Sequence, residues 1–240
     1  MTTFFCVESL SKNFGGLQAL KNVSFDLPRG AILGLMGANG AGKTTLFGLV
    51  AGHLKPSGGR IILEGRLLNG LSPDRVCRAG ISRTFQIVRP FAGLSVDENV
   101  AVSALYGAGK HTNARAAQIA AGEAIEAVGL GAQRKLAAGG LTLSGQKRLE
   151  IARALATGAR IVMLDEVMAG LTPPEVDSMI DTLARLRAER DLSFVIIEHV
   201  MGALMKLSDQ ILVLDHGETI AYGTPAEIAS SDRVSEVYFG

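Results

Sequence analysis

The sequence has few of the features that mark secreted or membrane-spanning proteins. Its 240 residues include only two cysteines, Cys6 and Cys77, which form neither a disulfide framework nor the spacing of a metal site, and we expect both to be small core residues. Hydrophobic residues make up 48% of the chain, yet no run reaches the ~18 consecutive apolar residues of a membrane helix. Residues 1–5 lack the basic-then-apolar order of a signal peptide. These absences predict a soluble, cytosolic protein.

An excess of charge of one sign is also missing. The formal net charge is +1, so the chain as a whole has no electrostatic attraction to nucleic acid or to anionic lipid. No internal repeat or low-complexity segment is present. A chain of this length can bury a sizeable core as one large domain, or as one domain with a subdomain.

Glycine, in contrast, is abundant, and residues 37–45 concentrate it in the sequence Gly-Ala-Asn-Gly-Ala-Gly-Lys-Thr-Thr. This stretch fits the phosphate-loop pattern G-x-x-x-x-G-K-[ST], and it stands between a short apolar run and a helical pattern. Such a loop points backbone N–H groups at phosphate oxygens, and the following helix adds the positive end of its dipole. We expect Lys43 to reach the β- and γ-phosphates and the Thr44 hydroxyl to ligate Mg²⁺.

A second motif joins a strand to two acids. The apolar run Ile161–Leu164 leads directly into Asp165 and Glu166, as expected of a buried parallel strand with its functional end at the carboxyl edge of the sheet. Adjacent carboxylates repel each other, and a bound Mg²⁺ would relieve this repulsion. We expect Asp165 to hold the metal through water and Glu166 to polarise an attacking water.

Three further positions are open when judged from the residues alone. Phe14 lies in a predicted Lys-Asn-Phe-Gly-Gly loop, where it is equally compatible with minor packing and with stacking on a purine, which is worth ~1–3 kcal/mol. Gln86 follows a predicted strand, and the simplest interpretation is a polar residue that ends the strand and has no further role. His199 follows another predicted strand, where it is either a satisfied surface histidine or a donor to a γ-phosphate.

The pattern of predicted elements indicates an α/β fold. We predict a P-loop NTPase core, with a mixed parallel sheet and N-terminal antiparallel strands, and an inserted helical subdomain. The whole chain, 1–240, is then a single ATPase domain, in which residues 1–96 and 158–240 form the nucleotide-binding α/β core and residues 97–157 the helical subdomain.

These pieces, in this order, resemble the ATP-binding subunit of ABC transporters over essentially the whole chain. The resemblance implies that Phe14 stacks on adenine, that Gln86 senses Mg²⁺ and the transport partner, and that His199 is the switch histidine. Residues 37–45 then correspond to the Walker A loop, and residues 164–166 to Walker B with its catalytic glutamate. The implied catalytic residues are Lys43, Glu166 and His199, and the implied metal-site residues are Thr44, Gln86 and Asp165.

Details of the sequence resemble one branch of this family, the ATPases of branched-chain amino acid importers. They include the stretches 83–91, 169–171, 196–199, 221–225 and 237–240. ATPases of lipopolysaccharide exporters share many of these features and remain an alternative, as do ABC ATPases that act outside transport. The latter usually carry two ATPase domains or long coiled coils, which this sequence lacks.

The family signature Leu-Ser-Gly-Gly-Gln is not intact. An ungapped alignment anchored on residues 151–155 places Leu141-Thr142-Leu143-Ser144-Gly145 over it, so Thr142 takes the serine role. A one-residue deletion would instead align residues 143–146, but it would rotate the following helix by about 100°. The nucleotide-binding set implied by the resemblance is therefore Phe14, Gly37, Asn39, Gly40, Ala41, Gly42, Lys43, Thr44, Thr45, Gln86, Thr142, Ser144 and Gly145.

The resemblance also implies the partners and the location. The cofactors are ATP and Mg²⁺, and ATP-driven closure and opening needs a second ATPase domain, in a homodimer or a heterodimer. Integral membrane permease subunits supply the translocation path, a periplasmic substrate-binding protein delivers the solute, and no nucleic acid is involved. The chain is then cytoplasmic and peripheral on the cytoplasmic face of the inner membrane.

Overall fold

The computed structural model describes residues 4–84, 90–108 and 113–239. The chain divides into two compact units, one made of Met1–Val76 with Ser193–Gly240 and the other of Cys77–Leu192. The first unit contains both ends of the chain, and the second is a single continuous segment. The prediction that residues 97–157 form a helical subdomain stays a prediction.

An antiparallel sheet opens the first unit. Its strands are β1 (Phe5–Phe14), β2 (Leu17–Leu27), β4 (Gly58–Leu63) and β5 (Arg66–Leu67), in the order β2-β1-β4-β5. Apolar and polar residues alternate along β2, and its buried positions include Leu20, Val23 and Phe25, as expected of a strand with one face on the core. The N-terminal antiparallel strands of the predicted fold are thereby confirmed.

Strands β1 and β2 are longer than their apolar runs indicate. The two strands pair as far as Phe14 opposite Leu17, so Phe14 ends a strand and does not lie in the predicted loop. The turn itself falls at Gly15 and Gly16, as predicted. Backbone pairing with β2 extends β1 through the polar residues Lys12 and Asn13, which carry no strand signal of their own.

The remaining strands of the first unit form a mainly parallel arrangement. They are β3 (Ile32–Gly37), β8 (Ser193–Ile197), β9 (Gln210–Asp215) and β10 (Glu218–Gly223). Strand β3 pairs in parallel with both β8 and β9, and β10 returns antiparallel to β9. Every residue of β3 and β8 is buried, as expected of central strands in an α/β protein. The helices of this unit are α1 (Lys43–Val50), α7 (Met201–Leu207), α8 (Pro225–Ala229) and α9 (Asp232–Phe239).

The second unit is mostly helical, and helix α2 (Pro73–Ala79) leads into it. Its strands β6 (Ile81–Arg83) and β7 (Ile161–Asp165) pair in parallel, with Arg83 opposite Met163. Its helices are α3 (Val96–Tyr106), α4 (Ala114–Ala127), α5 (Leu143–Ala156) and α6 (Pro173–Arg190). Helices α3, α4 and α5 contact one another. Cys6 is buried, as predicted, whereas Cys77 is half-buried and is not the core residue that the sequence predicted.

The boundaries of the helices follow capping residues. Ser95 at the start of α3 and Thr172 at the start of α6 form capping boxes with the glutamates three residues later, which satisfies N–H groups that the first turn leaves without helical acceptors. Across the three described ranges, no helix combines the length and the apolar character needed to cross a bilayer.

Candidate nucleotide-binding site

The glycine-rich loop joins β3 to α1 in the first unit. Gly37 approaches the chain of β9 so closely that an added Cβ would lie 2.6 Å from the Leu214 carbonyl oxygen. Gly42 caps α1 with φ at +105°, a left-handed conformation that favours glycine. Only glycine fits these two positions without strain, so the predicted loop owes its shape to them.

Lys43 is folded back onto this loop. Its Nζ donates to the carbonyl oxygens of Gly37 and Ala38 at 2.5 and 2.9 Å, and the residue is 8% exposed. The ammonium group thus lies at the centre of the loop, with two carbonyl oxygens in reach. A phosphate oxygen offers the same group a charged acceptor and a stronger hydrogen bond.

The loop is open on one side. Residues 38–40, which include Asn39 and Gly40, are exposed, as is Thr44, while Thr45 is half-buried. The first backbone bond of α1 runs from the Leu46 N–H to the Gly42 carbonyl at 2.9 Å, so the N–H groups of residues 43–45 precede the helical ladder. An exposed loop with such N–H groups suits an anion.

His199 leaves the sheet at the edge where this loop begins. Strands β3 and β8 are parallel, with Leu35 opposite Ile197, and Gly37 and His199 each follow two residues later. The first unit therefore places the histidine and the glycine loop at the same carboxyl edge, where ligands of α/β sheets bind. The His199 side chain is exposed.

Phe14 remains accessible to a ligand from its position at the end of β1. Its side chain is 45% exposed, and the Lys12 ammonium lies 4.8 Å from the ring centroid. This cation–π contact orients one end of an otherwise exposed ring. An exposed aromatic ring at a strand end can stack on a base.

Asp165, in the second unit, is already paired with a cation. One carboxylate oxygen accepts a hydrogen bond from Arg83 Nη2 at 2.8 Å, and only 12% of the arginine side chain and 6% of the aspartate side chain are exposed. The Asp165 N–H donates to the Thr84 hydroxyl at 3.2 Å. The end of β6 thereby fixes both the backbone and the side chain of Asp165.

Glu166 is held in an unusual backbone conformation. Its φ is +53°, which places a residue that has a Cβ in the left-handed region. Its carbonyl oxygen accepts a hydrogen bond from Lys147 Nζ at 2.8 Å, and Lys147 is 5% exposed. A buried ammonium group from α5 thus holds the peptide that sets the direction of the glutamate.

The degenerate signature begins α5. Thr142 is the N-cap residue, and its hydroxyl accepts from the Gly145 N–H at 3.2 Å. Leu143 is 46% exposed and lies so close to Gly170 that a Cβ there would meet it at 3.0 Å. Ser144 is half-buried and Gly145 buried, so Thr142 and Leu143 are the exposed members of this group.

The structure distributes the predicted site residues over the two units. The first unit brings the glycine loop and His199 to one sheet edge and carries Phe14, and the second carries Asp165, Glu166 and residues 142–145. Gln86 lies outside the described residues. The sequence interpretation missed Arg83 and Lys147. Arg83 lay inside a strand predicted over residues 81–85, whereas the observed strand ends at Arg83.

The donors present fit a nucleotide with Mg²⁺. Mg²⁺ prefers oxygen ligands and is usually bound by one or two carboxylates together with substrate phosphates. Taken separately, the first unit offers the Thr44 hydroxyl and the second the Asp165 carboxylate. Among the residues that the structure describes, no cluster of three or more metal-ligating side chains occurs.

Comparison with protein families matches residues 20–169 to the ABC transporter family. The chain belongs to this family. It is 40% identical over 98% of its length to the high-affinity branched-chain amino acid transport ATP-binding protein LivG of Salmonella typhimurium, of which the match covers 96%.

Solved structures agree with this family membership. The ADP conformation of MJ1267, an ATP-binding cassette of an ABC transporter, matches with a TM-score of 0.89 and 28% identity over 100% of both chains. CbiO1 of Clostridium perfringens, part of the ABC transporter complex cbiONQ, matches with a TM-score of 0.87 and 26% identity over 98% of this chain and 94% of its own.

As a member of the ABC family, the chain is an ATP-binding cassette with ATPase activity. Its P-loop NTPase fold is the one predicted from the sequence.

Proposed function

We propose that this chain is the ATPase subunit of an importer for branched-chain or related amino acids. The observation that carries the proposal is the 40% identity to LivG, which extends over 98% of the chain and is not confined to the nucleotide motifs. Walker motifs alone are shared by cassettes with many cargoes. Similarity over 98% of the chain is what this proposal rests on.

In the reaction, the chain's own residues bind and orient the nucleotide. The backbone N–H groups of residues 40–45 and the Lys43 ammonium hold the phosphates of ATP, and Phe14 stacks on the adenine. Thr44, Asp165 and Gln86 hold Mg²⁺, which neutralises developing charge when bound. Glu166 accepts a proton from the attacking water, and His199 donates to the γ-phosphate.

A second ATPase domain completes the site. Thr142, Ser144 and Gly145 serve the nucleotide bound by this partner, and the partner's signature serves the nucleotide on residues 37–45. The exposed position of Thr142 at the start of α5 supports this assignment, because a helix N-terminus suits a phosphate. Closure by ATP and opening after hydrolysis follow, since ATP binds one conformation better than the other.

Permease subunits dock on the second unit, where residues 97–157 form the helical subdomain. Phe91, Leu94 and Leu136 are exposed there, and backbone hydrogen bonds join the segments of Leu94 and Leu136 at 2.8 and 3.0 Å. Next to these leucines in sequence, Ser95 and Lys135 line a surface pocket of about 520 Å³. An apolar patch with a polar rim suits a short helix of a membrane subunit.

This arrangement puts the chain on the cytoplasmic face of the inner membrane, with a periplasmic binding protein on the other side. The free energy of ATP binding and hydrolysis by the chain then drives the release of solute into the cytoplasm. Import of this kind needs two permeases and a pair of ATPase domains, and this chain supplies one of the pair.

Uptake of radiolabelled leucine tests the proposal. Cells that lack the gene should lose high-affinity uptake, the wild-type gene should restore it, and the Lys43→Ala variant should not, because the phosphates lose their ammonium partner. Lys55→Ala, at an exposed lysine of the same unit, is the matched control and should restore uptake. Normal leucine uptake in the deletion strain, together with a defect in lipopolysaccharide export, would show that the cargo is lipopolysaccharide and not an amino acid.

A further inference from the structure

Arg83 supplies positive charge to Asp165 before any metal is bound. The two side chains are 2.8 Å apart, and both are largely withdrawn from solvent. Strand β6 carries Arg83 at its last position, in parallel register with β7, so backbone hydrogen bonds hold the arginine beside the aspartate. The pairing of the two strands therefore holds the ion pair in place, unlike a flexible contact on the surface.

This pair changes what Asp165 offers to a cation. A carboxylate that is buried alone would bind a divalent ion strongly, because the ion relieves the cost of burying its charge. Arg83 already relieves that cost and repels a second cation. Thr84, the next residue, accepts the Asp165 N–H and prevents the carboxylate from moving away with its backbone.

We propose that Arg83 is a positioning residue that makes metal binding at Asp165 depend on nucleotide. The inference rests on the proposed role of Asp165 as a metal residue. With Arg83 in place, Asp165 binds a divalent ion only when ATP phosphates supply further oxygen ligands. Without Arg83, Asp165 binds the ion in the empty chain as well.

The expected effect is large. The positive charge of Arg83 repels a divalent ion bound to the neighbouring carboxylate, even at the effective dielectric constant of about 20 that suits protein sites. Relaxation and water entry reduce this, so we expect the Arg83→Gln variant to bind Mn²⁺ in the nucleotide-free state at least about tenfold more tightly than the wild type.

Mn²⁺ binding, followed by electron paramagnetic resonance of the free ion, measures this without reference to ATPase activity. The full chain is titrated with Mn²⁺, alone and with a non-hydrolysable ATP analogue. Arg134→Gln is the matched control, because it breaks another arginine–aspartate pair of the second unit, the 2.7 Å contact with Asp97. It should leave Mn²⁺ affinity unchanged in both conditions.

The outcomes separate the two proposals. In one outcome, Asp165→Asn weakens Mn²⁺ binding in the presence of the ATP analogue, but Arg83→Gln binds Mn²⁺ in the absence of nucleotide with wild-type affinity. Arg83 then does not have the proposed role, and the metal role of Asp165 stands. If Asp165→Asn keeps full affinity with the analogue, the metal role fails and this inference fails with it. Tighter binding by Arg83→Gln that disappears in the double variant Arg83→Gln/Asp165→Asn supports the inference.

A measurement on the wild type covers the case in which Arg83→Gln does not fold. Circular dichroism establishes whether it folds, since loss of one partner leaves a buried charge. Without nucleotide, the wild-type chain and the Asp165→Asn variant should then bind the same amount of Mn²⁺, because residue 165 holds no ion in either. A Mn²⁺ site in the wild type that Asp165→Asn removes would overturn the inference, because Arg83 would not be preventing metal binding.

Discussion

Glu166 holds a left-handed backbone conformation, which costs an ordinary residue roughly 1–2 kcal/mol. The surroundings stabilise it through a hydrogen bond from Lys147 at 2.8 Å. Strained residues of this kind cluster at functional sites, where the fold over-determines their geometry. At the residue scale, two observations therefore favour a chemical role for Glu166: its position directly after β7 and its left-handed backbone conformation.

Substitution of Glu166 by Gln tests this role. The amide keeps the shape of the side chain but cannot accept a proton from water, so ATP hydrolysis should slow by about 10²–10⁴-fold while nucleotide affinity is retained. Steady-state ATPase assays and fluorescent-nucleotide titrations measure the two quantities. Glu189→Gln, at an exposed glutamate of the same unit, should behave as the wild type. Undiminished turnover in Glu166→Gln would remove the residue from the base role.

Lys147→Met removes the ammonium group that holds the Glu166 peptide and keeps most of the side-chain volume. We expect kcat to fall by about tenfold or more, because small displacements of a catalytic group are costly. KM and nucleotide affinity should change little, since Lys147 lies on α5 and donates to a backbone oxygen. Lys147→Arg should restore part of kcat.

The control for Lys147 is Lys135→Met, at an exposed lysine outside α5. Both variants lose one positive charge, so an effect of net charge alone would appear in both. Equal kcat values in the wild type and Lys147→Met would show that the strained peptide holds its shape without the lysine.

Helix α5 owes its start to a cap. The Thr142 hydroxyl accepts the Gly145 N–H at 3.2 Å, and loss of an N-cap side chain costs about 1 kcal/mol. Thr142→Ala should therefore lower the free energy of unfolding by about 1 kcal/mol in urea titrations, and Thr142→Ser should restore most of it. Equal stability of the alanine variant and the wild type would mean that water replaces the hydroxyl at no cost.

At the scale of elements, most of the site could be predicted, because its signals are local. The glycine loop needs only its own sequence and the flanking apolar and helical patterns, and the acids need only the strand that they follow. The extension of β1 to Phe14 could not be predicted, since it comes from pairing with β2. Lys147 could not be predicted either, because a lysine inside a helix gives no sign that it is buried beneath a distant peptide.

Arg83 falls between these cases. Its strand was predicted, but over residues 81–85, so the prediction did not place Arg83 at the end of the strand. Two parallel strands bring their carboxyl ends to one edge, where a basic residue of one strand and an acid of the other can pair. The sequence did not say which strands are neighbours, and only the observed register of β6 with β7 does so. Strand order is a property of the whole fold, which local patterns do not determine.

At the scale of the whole molecule, we expect the chain to present an intact set of residues for its own nucleotide and a degenerate set for a partner's. Residues 37–45, Asp165 and Glu166 match the family pattern, whereas Leu143 stands where the signature has a glycine. Its exposed side chain, packed near Gly170, occupies space next to Thr142 that a glycine leaves free. We therefore expect the chain's contribution to the reciprocal site to be the weaker one.

This asymmetry predicts that the chain works in a heterodimer. The purified chain alone should hydrolyse ATP slowly, because both sites of a homodimer would use the degenerate signature. Addition of a second ATPase subunit with an intact signature should raise the rate by about tenfold or more, and Glu166→Gln should abolish most of this gain. Leu143→Gly should raise the rate of the homodimer by relieving the obstruction. Fast turnover by the isolated wild-type chain would contradict the prediction, because the degenerate signature would then support hydrolysis at both sites.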